Sequence, residues 1–168
     1  LMDFETVMPI LRKLSLEAGD AIMDICNSDD FDVRSKSAAS PVTAADEAAD
    51  ALISAGLAAA FPDVLCVTEE QAASHTKSAA SFFIVDPLDG TKEFTVNIAY
   101  VENGTPIRGV VYAPAKGRLF FTMADGQTVE ETGAFDKDIV GETKPLSVSE
   151  PDNTALMVVA SKSHRDQA

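Results

Sequence analysis

Two aspartates three residues apart, Asp86 and Asp89, stand in the segment DPLDGTKEF at residues 86–94. The segment directly follows FFIV, an apolar run that is typical of a buried strand. Its proline and glycine predict a tight turn. Two carboxylates on one turn are hard oxygen ligands of the kind that Mg²⁺ prefers. Taken alone, the same pattern is explained more simply by an Asx-turn, in which an aspartate caps its own backbone.

A second group of acids follows another short apolar run. Glu69 and Glu70 come directly after VLCV at residues 64–67, as Asp86 comes after FFIV. If the two strands are neighbours, both groups of acids lie at the same edge of a sheet. Like charges so close together are costly unless a cation compensates them. The alternative for the Glu-Glu pair by itself is a solvated loop.

A third candidate lies in the segment SPVTAAD at residues 40–46. Thr43 and Asp46 stand three apart at the predicted start of a helix. The local pattern favours a variant of the capping box, with Thr43 as the N-cap and Asp46 favoured by the helix dipole. The functional alternative is that Asp46 points into the acidic site and orients a water molecule.

The elements that position these residues can be predicted from periodicity. Apolar residues recur at helical spacing over the first two dozen residues and again from Thr43 to Phe61, and short apolar or alternating runs then predict strands. We interpret residues 131–145 as loop. The pattern predicts an α+β fold in which two helices pack on an antiparallel sheet. The predicted strands are 64–67, 82–85, 95–102, 107–113, 118–123 and 155–161.

Composition limits the classes of function. The 168 residues carry a net charge of -14, which argues against binding to nucleic acid because that needs basic surface. No apolar stretch reaches the roughly 18 residues of a membrane span, and no signal peptide is visible. We therefore expect a cytoplasmic protein, with contact at the inner face of the membrane left open. Cys26 and Cys66 are expected to be free, buried thiols.

The three motifs SPVTAAD, VTEEQ and DPLDGTKEF together resemble the metal-binding motifs of the Mg²⁺-dependent, lithium-sensitive phosphatases, in the same order and approximate spacing. This superfamily includes inositol monophosphatase, fructose-1,6-bisphosphatase and the bisphosphate nucleotidases. Lys-Glu-Phe after Gly-Thr, the wording SPVTAAD and the final SKSHRD are most similar to the CysQ-type 3'(2'),5'-bisphosphate nucleotidases. The resemblance implies the N-terminal half of a layered α/β sugar-phosphatase fold. Residues 1–146 would form the metal-binding domain and 147–168 the start of a second α/β domain that is otherwise absent.

The resemblance also implies roles for individual residues. It assigns two or three Mg²⁺ ions as cofactor, and a water that attacks the phosphate of a small phosphorylated substrate. The most similar branch converts 3'-phosphoadenosine 5'-phosphate to AMP and phosphate, so a nucleotide bisphosphate is the expected substrate. By position, the metal ligands would be Glu69, Asp86, the Leu88 carbonyl and Asp89. The catalytic pair would be Asp46 and Thr91. The substrate-binding residues would be Gly90, Thr91, Lys36 and His164.

Two alternatives stay open at this point. Within the enzyme class the alternative is an inositol monophosphatase, and outside it an acidic domain that binds divalent ions. A homodimer is also left open. The sequence departs from the family in having no Trp and no Trp-Asp-type motif, which in relatives supplies a further metal-binding aspartate. It also lacks a short loop that relatives place between Phe94 and Thr95, and we expect residues to be missing there.

Overall fold

The computed structural model describes residues 2–27, 41–89 and 94–148, together with 150 and 154. Helix α1 covers Phe4–Cys26 and helix α2 covers Pro41–Ala60. The side chain of Asp3 caps α1, because it accepts a hydrogen bond from the Glu5 N–H at 3.1 Å. Neither helix in the described part of the chain has the long apolar stretch that a membrane span requires.

Seven strands form one mixed sheet whose spatial order follows the chain. The strands β1 and β2 pair in parallel, and every later neighbouring pair is antiparallel. Asn103 and Gly104 form the two-residue turn between β3 and β4, and both have positive φ, as such a hairpin requires. The strands are β1 Leu65–Thr68, β2 Ser81–Asp89, β3 Thr95–Glu102, β4 Thr105–Ala113, β5 Arg118–Thr122, β6 Thr128–Thr132 and β7 Glu142–Pro145.

The core lies between the two helices and one face of the sheet. Helix α1 packs on β3 and β4, and α2 packs on β1 and β2. Strand alternation sends every second side chain into this core, and each fully buried aliphatic side chain contributes about 1.5–3 kcal/mol. On the opposite face, Ile84 and Val111 remain 45% and 40% exposed. The largest fully buried apolar side chains are Phe83, Leu11, Ile22, Ile53, Leu57, Ile98 and Leu119.

A buried ion pair joins the first helix to β6. Arg12 donates from Nε and Nη2 to the two carboxylate oxygens of Glu131, each at 2.7 Å, and both side chains are almost fully buried. Arg12 also donates to the carbonyls of Lys137 and Ile139, and Glu131 accepts the Gly141 N–H at 2.8 Å. The pair therefore fastens the connection between β6 and β7 to α1.

The structure confirms the two helices and the antiparallel strands that follow them, and it corrects four predictions. Residues 131–145 are not all loop, because the end of β6 and all of β7 fall within them. Helix α2 begins at Pro41, a residue favoured at a first helical position, so Thr43 lies inside the first turn and is not its N-cap. The sheet is mixed, since its first pair is parallel. Cys26 and Cys66 are free thiols, half-buried where full burial was expected.

Candidate active site

A bulge in β2 brings Asp86 and Asp89 to one side of the strand. The prediction of a tight turn here is wrong, because β2 continues through Asp89 and pairs with β3. Asp86 faces Asn97 and Asp89 faces Thr95, so two residues of β2 lie opposite one residue of β3. Side chains three apart on a regular strand point to opposite faces, and the extra residue reverses that. Pro87 cannot donate to the ladder, which suits it to a bulge.

The parallel pairing of β1 and β2 brings the second group of acids to the same place, as predicted. The last register pair is Thr68 with Val85, and the Glu69 N–H continues the ladder to the Val85 carbonyl at 3.1 Å. Glu69 therefore stands next to Asp86, and their carboxyl groups share a hydrogen bond. Glu69 and Asp89 are exposed, whereas Asp86 is half-buried.

Helix α2 contributes Asp46 from its second turn. The side chain is half-buried and shares a hydrogen bond with Glu70, while the charges of Asp86 and Glu69 also act on it. Asp46 therefore lies close to Glu70, Glu69 and Asp86, and its role in orienting a water stays a prediction. The helix carries this residue to the end of the sheet at which both acidic strands finish.

Crowding changes the protonation of two of these acids. Burial, with the hydrogen bond to Glu70 and the charges of Glu70, Asp86 and Glu69, raises the pKa of Asp46 to about 7. Burial, followed by the charges of Glu69 and Asp89, raises the pKa of Asp86 to about 6, against a lowering contribution from the Leu88 N–H. Both carboxyl groups therefore titrate close to neutral pH in the metal-free protein, and a bound cation would favour their ionised forms.

The donor set fits a hard divalent cation. The Oδ1 atoms of Asp46 and Asp86 are buried without a hydrogen-bond partner, and such buried polar atoms call for an explanation. Within the described ranges, no three His, Cys, Asp or Glu side chains are grouped closely enough to hold an ion between them. Mg²⁺ does not need such a cage, since it commonly uses one or two carboxylates, waters and substrate phosphate oxygens.

Several predicted site residues fall outside the described part of the chain. These are Lys36, Gly90, Thr91 and His164, and the predicted strand at residues 155–161 lies there too. Leu88 is buried inside the bulge. The prediction of missing residues between Phe94 and Thr95 stays a prediction.

The structure adds residues that the sequence reasoning did not single out. Asn97 faces Asp86 across β2 and β3, and both line a surface groove of about 380 Å³ that also includes Ile84 and Val111. Asp50 lies one turn after Asp46 on α2 and is only 6% exposed. An acid four residues from a candidate catalytic acid was the available signal, because positions i and i+4 share a helix face.

Comparisons with known proteins agree with this arrangement. Residues 3–168 match the family model described as "Inositol monophosphatase family". The chain is 39% identical over 168 residues to "3'(2'),5'-bisphosphate nucleotidase CysQ" from Escherichia coli (strain K12), covering 92% of this chain and 63% of that protein. It therefore spans less than two thirds of the length of this curated relative.

Two solved structures share the fold. CysQ from Bacteroides thetaiotaomicron, described as a bacterial member of the inositol monophosphatase family, superposes with a TM-score of 0.74 at 28% identity, covering 89% of this chain and 60% of that one. Inositol monophosphatase from Anabaena (Nostoc) sp. PCC 7120 superposes with a TM-score of 0.61 at 25% identity, covering 77% and 48%.

Proposed function

The chain belongs to the inositol monophosphatase family, and from that premise we propose that the protein is a Mg²⁺-dependent phosphomonoesterase. The observation that carries the proposal is the pair of buried, unpartnered carboxylate oxygens on Asp46 and Asp86. The substrate we propose is a nucleotide bisphosphate such as 3'-phosphoadenosine 5'-phosphate, which would be converted to AMP and phosphate. The 39% identity to a protein named as a 3'(2'),5'-bisphosphate nucleotidase supports this choice.

The proposed ligands are Glu69, Asp86, the carbonyl of Leu88 and Asp89, for two or three Mg²⁺ ions. Bound Mg²⁺ would neutralise charge on the phosphate and supply a water that loses its proton more easily. The half-buried Asp86 is held at the bulge, and Glu69 is held by its N–H bond to Val85. The backbone around these residues is therefore fixed, so their oxygens can hold the Mg²⁺ ions in place. The ions in turn would allow an anionic substrate to bind beside an acidic surface.

Asp46 is the proposed general base. Burial, the largest cause of its raised pKa of about 7 in the metal-free site, makes this carboxylate a stronger base than an exposed aspartate. Its position on a helix that packs against β2 keeps the carboxylate in place while the proton is transferred. The family resemblance suggests that Thr91 would pair with Asp46, and that Gly90, Thr91, Lys36 and His164 would bind the phosphate.

The division into two domains also stays a proposal, with residues 1–146 forming the first and 147–168 opening the second. Support comes from the sheet face opposite the helices, where Ile84 and Val111 are exposed, since exposed apolar surface of this kind marks an interface. A cytoplasmic location is proposed on composition alone.

Phosphate release by the full-length protein tests the proposal. We expect Mg²⁺-dependent hydrolysis of 3'-phosphoadenosine 5'-phosphate in preference to inositol 1-phosphate. Asp46→Asn should lower kcat by about 10²–10⁴, the usual contribution of a general base, and should keep Mg²⁺ uptake measurable by calorimetry. Asp63→Asn is the matched control, because this exposed aspartate precedes β1 and lies at the opposite end of that strand.

The outcomes separate the alternatives. Cleavage of inositol phosphate without cleavage of the nucleotide would favour an inositol monophosphatase, which the similarity to the Anabaena structure keeps as the second candidate. Mg²⁺ uptake without hydrolysis of either substrate would favour an acidic divalent-ion-binding domain. An Asp46→Asn variant with unchanged kcat would remove Asp46 as the base.

A further inference from the structure

A partly buried hydrogen bond links helix α2 to the loop that follows β1. The Nε2 atom of Gln71 donates to Oδ2 of Asp50 at 2.8 Å. Asp50 is only 6% exposed, and its other oxygen, Oδ1, is buried without a partner. Gln71 is exposed and reaches inward from the loop. The Gln71 side chain could therefore extend into solvent instead, and the bond to Asp50 holds it inward.

The loop itself is closed by local hydrogen bonds. The Gln71 N–H donates to Oγ1 of Thr68 at 3.2 Å. The Gln71 carbonyl accepts from the N–H and the hydroxyl of Ser74, both at 2.7 Å, and the buried Ser74 hydroxyl also accepts the Thr68 N–H. Glu69 and Glu70 thus lie between two residues that are each held in place.

Two contacts align this loop with the helix. Asp46 and Asp50 are four residues apart on α2 and share a face; Asp50 accepts the bond from Gln71, and Asp46 lies beside Glu70, the residue before Gln71 in the loop. Consecutive loop residues that meet the helix one turn apart define both the distance and the direction of the loop. Loss of the second contact would let Glu69 and Glu70 move relative to Asp46.

We propose that Asp50 is a positioning residue: its bond to Gln71 holds Glu69 and Glu70 against Asp46 and so sets the affinity for Mg²⁺. This inference rests on the proposed function. Asp50 suits the task because its side-chain oxygen can accept the N–H of the Gln71 amide. A buried acceptor without its donor is costly, so Asp50 favours the conformation in which Gln71 points inward.

Calorimetric titration of the full-length protein with Mg²⁺ at pH 7.5 tests the inference. Asp50→Ala and Gln71→Ala should each weaken Mg²⁺ binding by about 10- to 100-fold, the usual effect of losing a residue that orients a ligand. Asp50→Asn keeps an oxygen that can accept from Gln71, so its Kd should stay within about threefold of the wild type. The double variant Asp50→Ala/Gln71→Ala should be no weaker than either single variant, because one bond is lost in all three.

Ser54→Ala is the matched control on the same helix, since it removes a 3.3 Å contact to the same Gln71 amide, keeps the bond to Asp50 and should leave the Kd unchanged. Should Asp50→Ala fail to fold, Gln71→Ala still decides the matter, because it shortens an exposed side chain. If Gln71→Ala binds Mg²⁺ as the wild type does, the inference is overturned and the proposed function stands. If the wild type takes up no Mg²⁺, the proposed function is overturned, and the inference with it.

Discussion

Replacing Asp86 with asparagine should stabilise the metal-free protein at neutral pH. The carboxylate is destabilising there because burial and the charges of Glu69 and Asp89 oppose ionisation. Asparagine has the same shape, carries no charge and still offers an oxygen to the Leu88 N–H. The substitution therefore removes an electrostatic cost without removing a backbone contact.

The magnitude follows from the shift in pKa. The folded value of about 6 lies roughly two units above the ordinary 3.8, and each unit corresponds to about 1.4 kcal/mol. The upper bound is thus about 3 kcal/mol, and solvent screening of a half-buried group makes a gain of about 1–3 kcal/mol the expected result. Loss of this charge also relieves Asp46, whose pKa it raises, so both effects have the same sign.

The gain should depend on pH in a defined window. Below about pH 4 the acid is protonated in both the folded and the unfolded chain, so no cost exists. As pH rises towards 6 the unfolded chain releases its proton first, the free energy of unfolding of the wild type falls, and the cost is complete above that value. The advantage of Asp86→Asn should therefore fall by more than half between pH 7.5 and pH 4.5.

Urea denaturation with a chelator present, at both pH values, measures this difference. Asp63→Asn serves as the control and should change stability by less than about 0.5 kcal/mol at either pH. Added Mg²⁺ should stabilise the wild type at pH 7.5 and have much less effect on Asp86→Asn. A variant that is less stable than the wild type at pH 7.5, or a gain that does not change with pH, would refute the reasoning.

Two further predictions concern stability. Arg12→Met should cost about 3–5 kcal/mol in urea denaturation because it leaves the Glu131 carboxylate buried and unpaired, whereas replacing both partners with apolar residues should recover most of the loss; a single-variant cost under about 1 kcal/mol would contradict this. Gly19→Ala should cost about 1–3 kcal/mol, since its Cβ would overlap Cε1 of the Tyr112 ring. Gly56→Ala is its matched control, because the atom it meets is the flexible end of a leucine; a Gly19→Ala protein with a higher Tm than that control would refute the packing argument.

Local sequence patterns were sufficient for the helices and most strands. Alternation defined β3, and the Asn103-Gly104 turn defined its hairpin with β4. The last two strands were underpredicted because their residues are mostly polar. Strand β6 depends on Glu131, whose burial is possible only beside Arg12, 119 residues earlier. A charge that is buried through a distant partner looks like loop in any local window.

Some features of the candidate site could likewise be predicted from the sequence, and others could not. The meeting of the two groups of acids at one edge of the sheet was predictable, because each group follows an apolar run. The parallel pairing of β1 and β2 that brings them there was not, since an antiparallel sheet was expected. The bulge was not, since Asp-Pro-Leu-Asp-Gly suits a turn as well as an irregular strand, and only pairing with β3 decides between them. The bond between Asp50 and Gln71 joins residues 21 apart in different elements, so no short motif contains it.

The same separation between Arg12 and Glu131 orders events during synthesis. At roughly 5–20 residues per second, the ribosome needs about 6–24 s to add the 119 residues between them. Throughout that interval α1 can form as a helix, but the Arg12 guanidinium lacks its partner, the Glu131 carboxylate. The apolar side of the helix also has no complete sheet to pack against. In nascent chains the apolar side of α1 would therefore be accessible to chaperones. Pairing of β6 with the sheet would be the late step that buries Arg12 and ends this exposure.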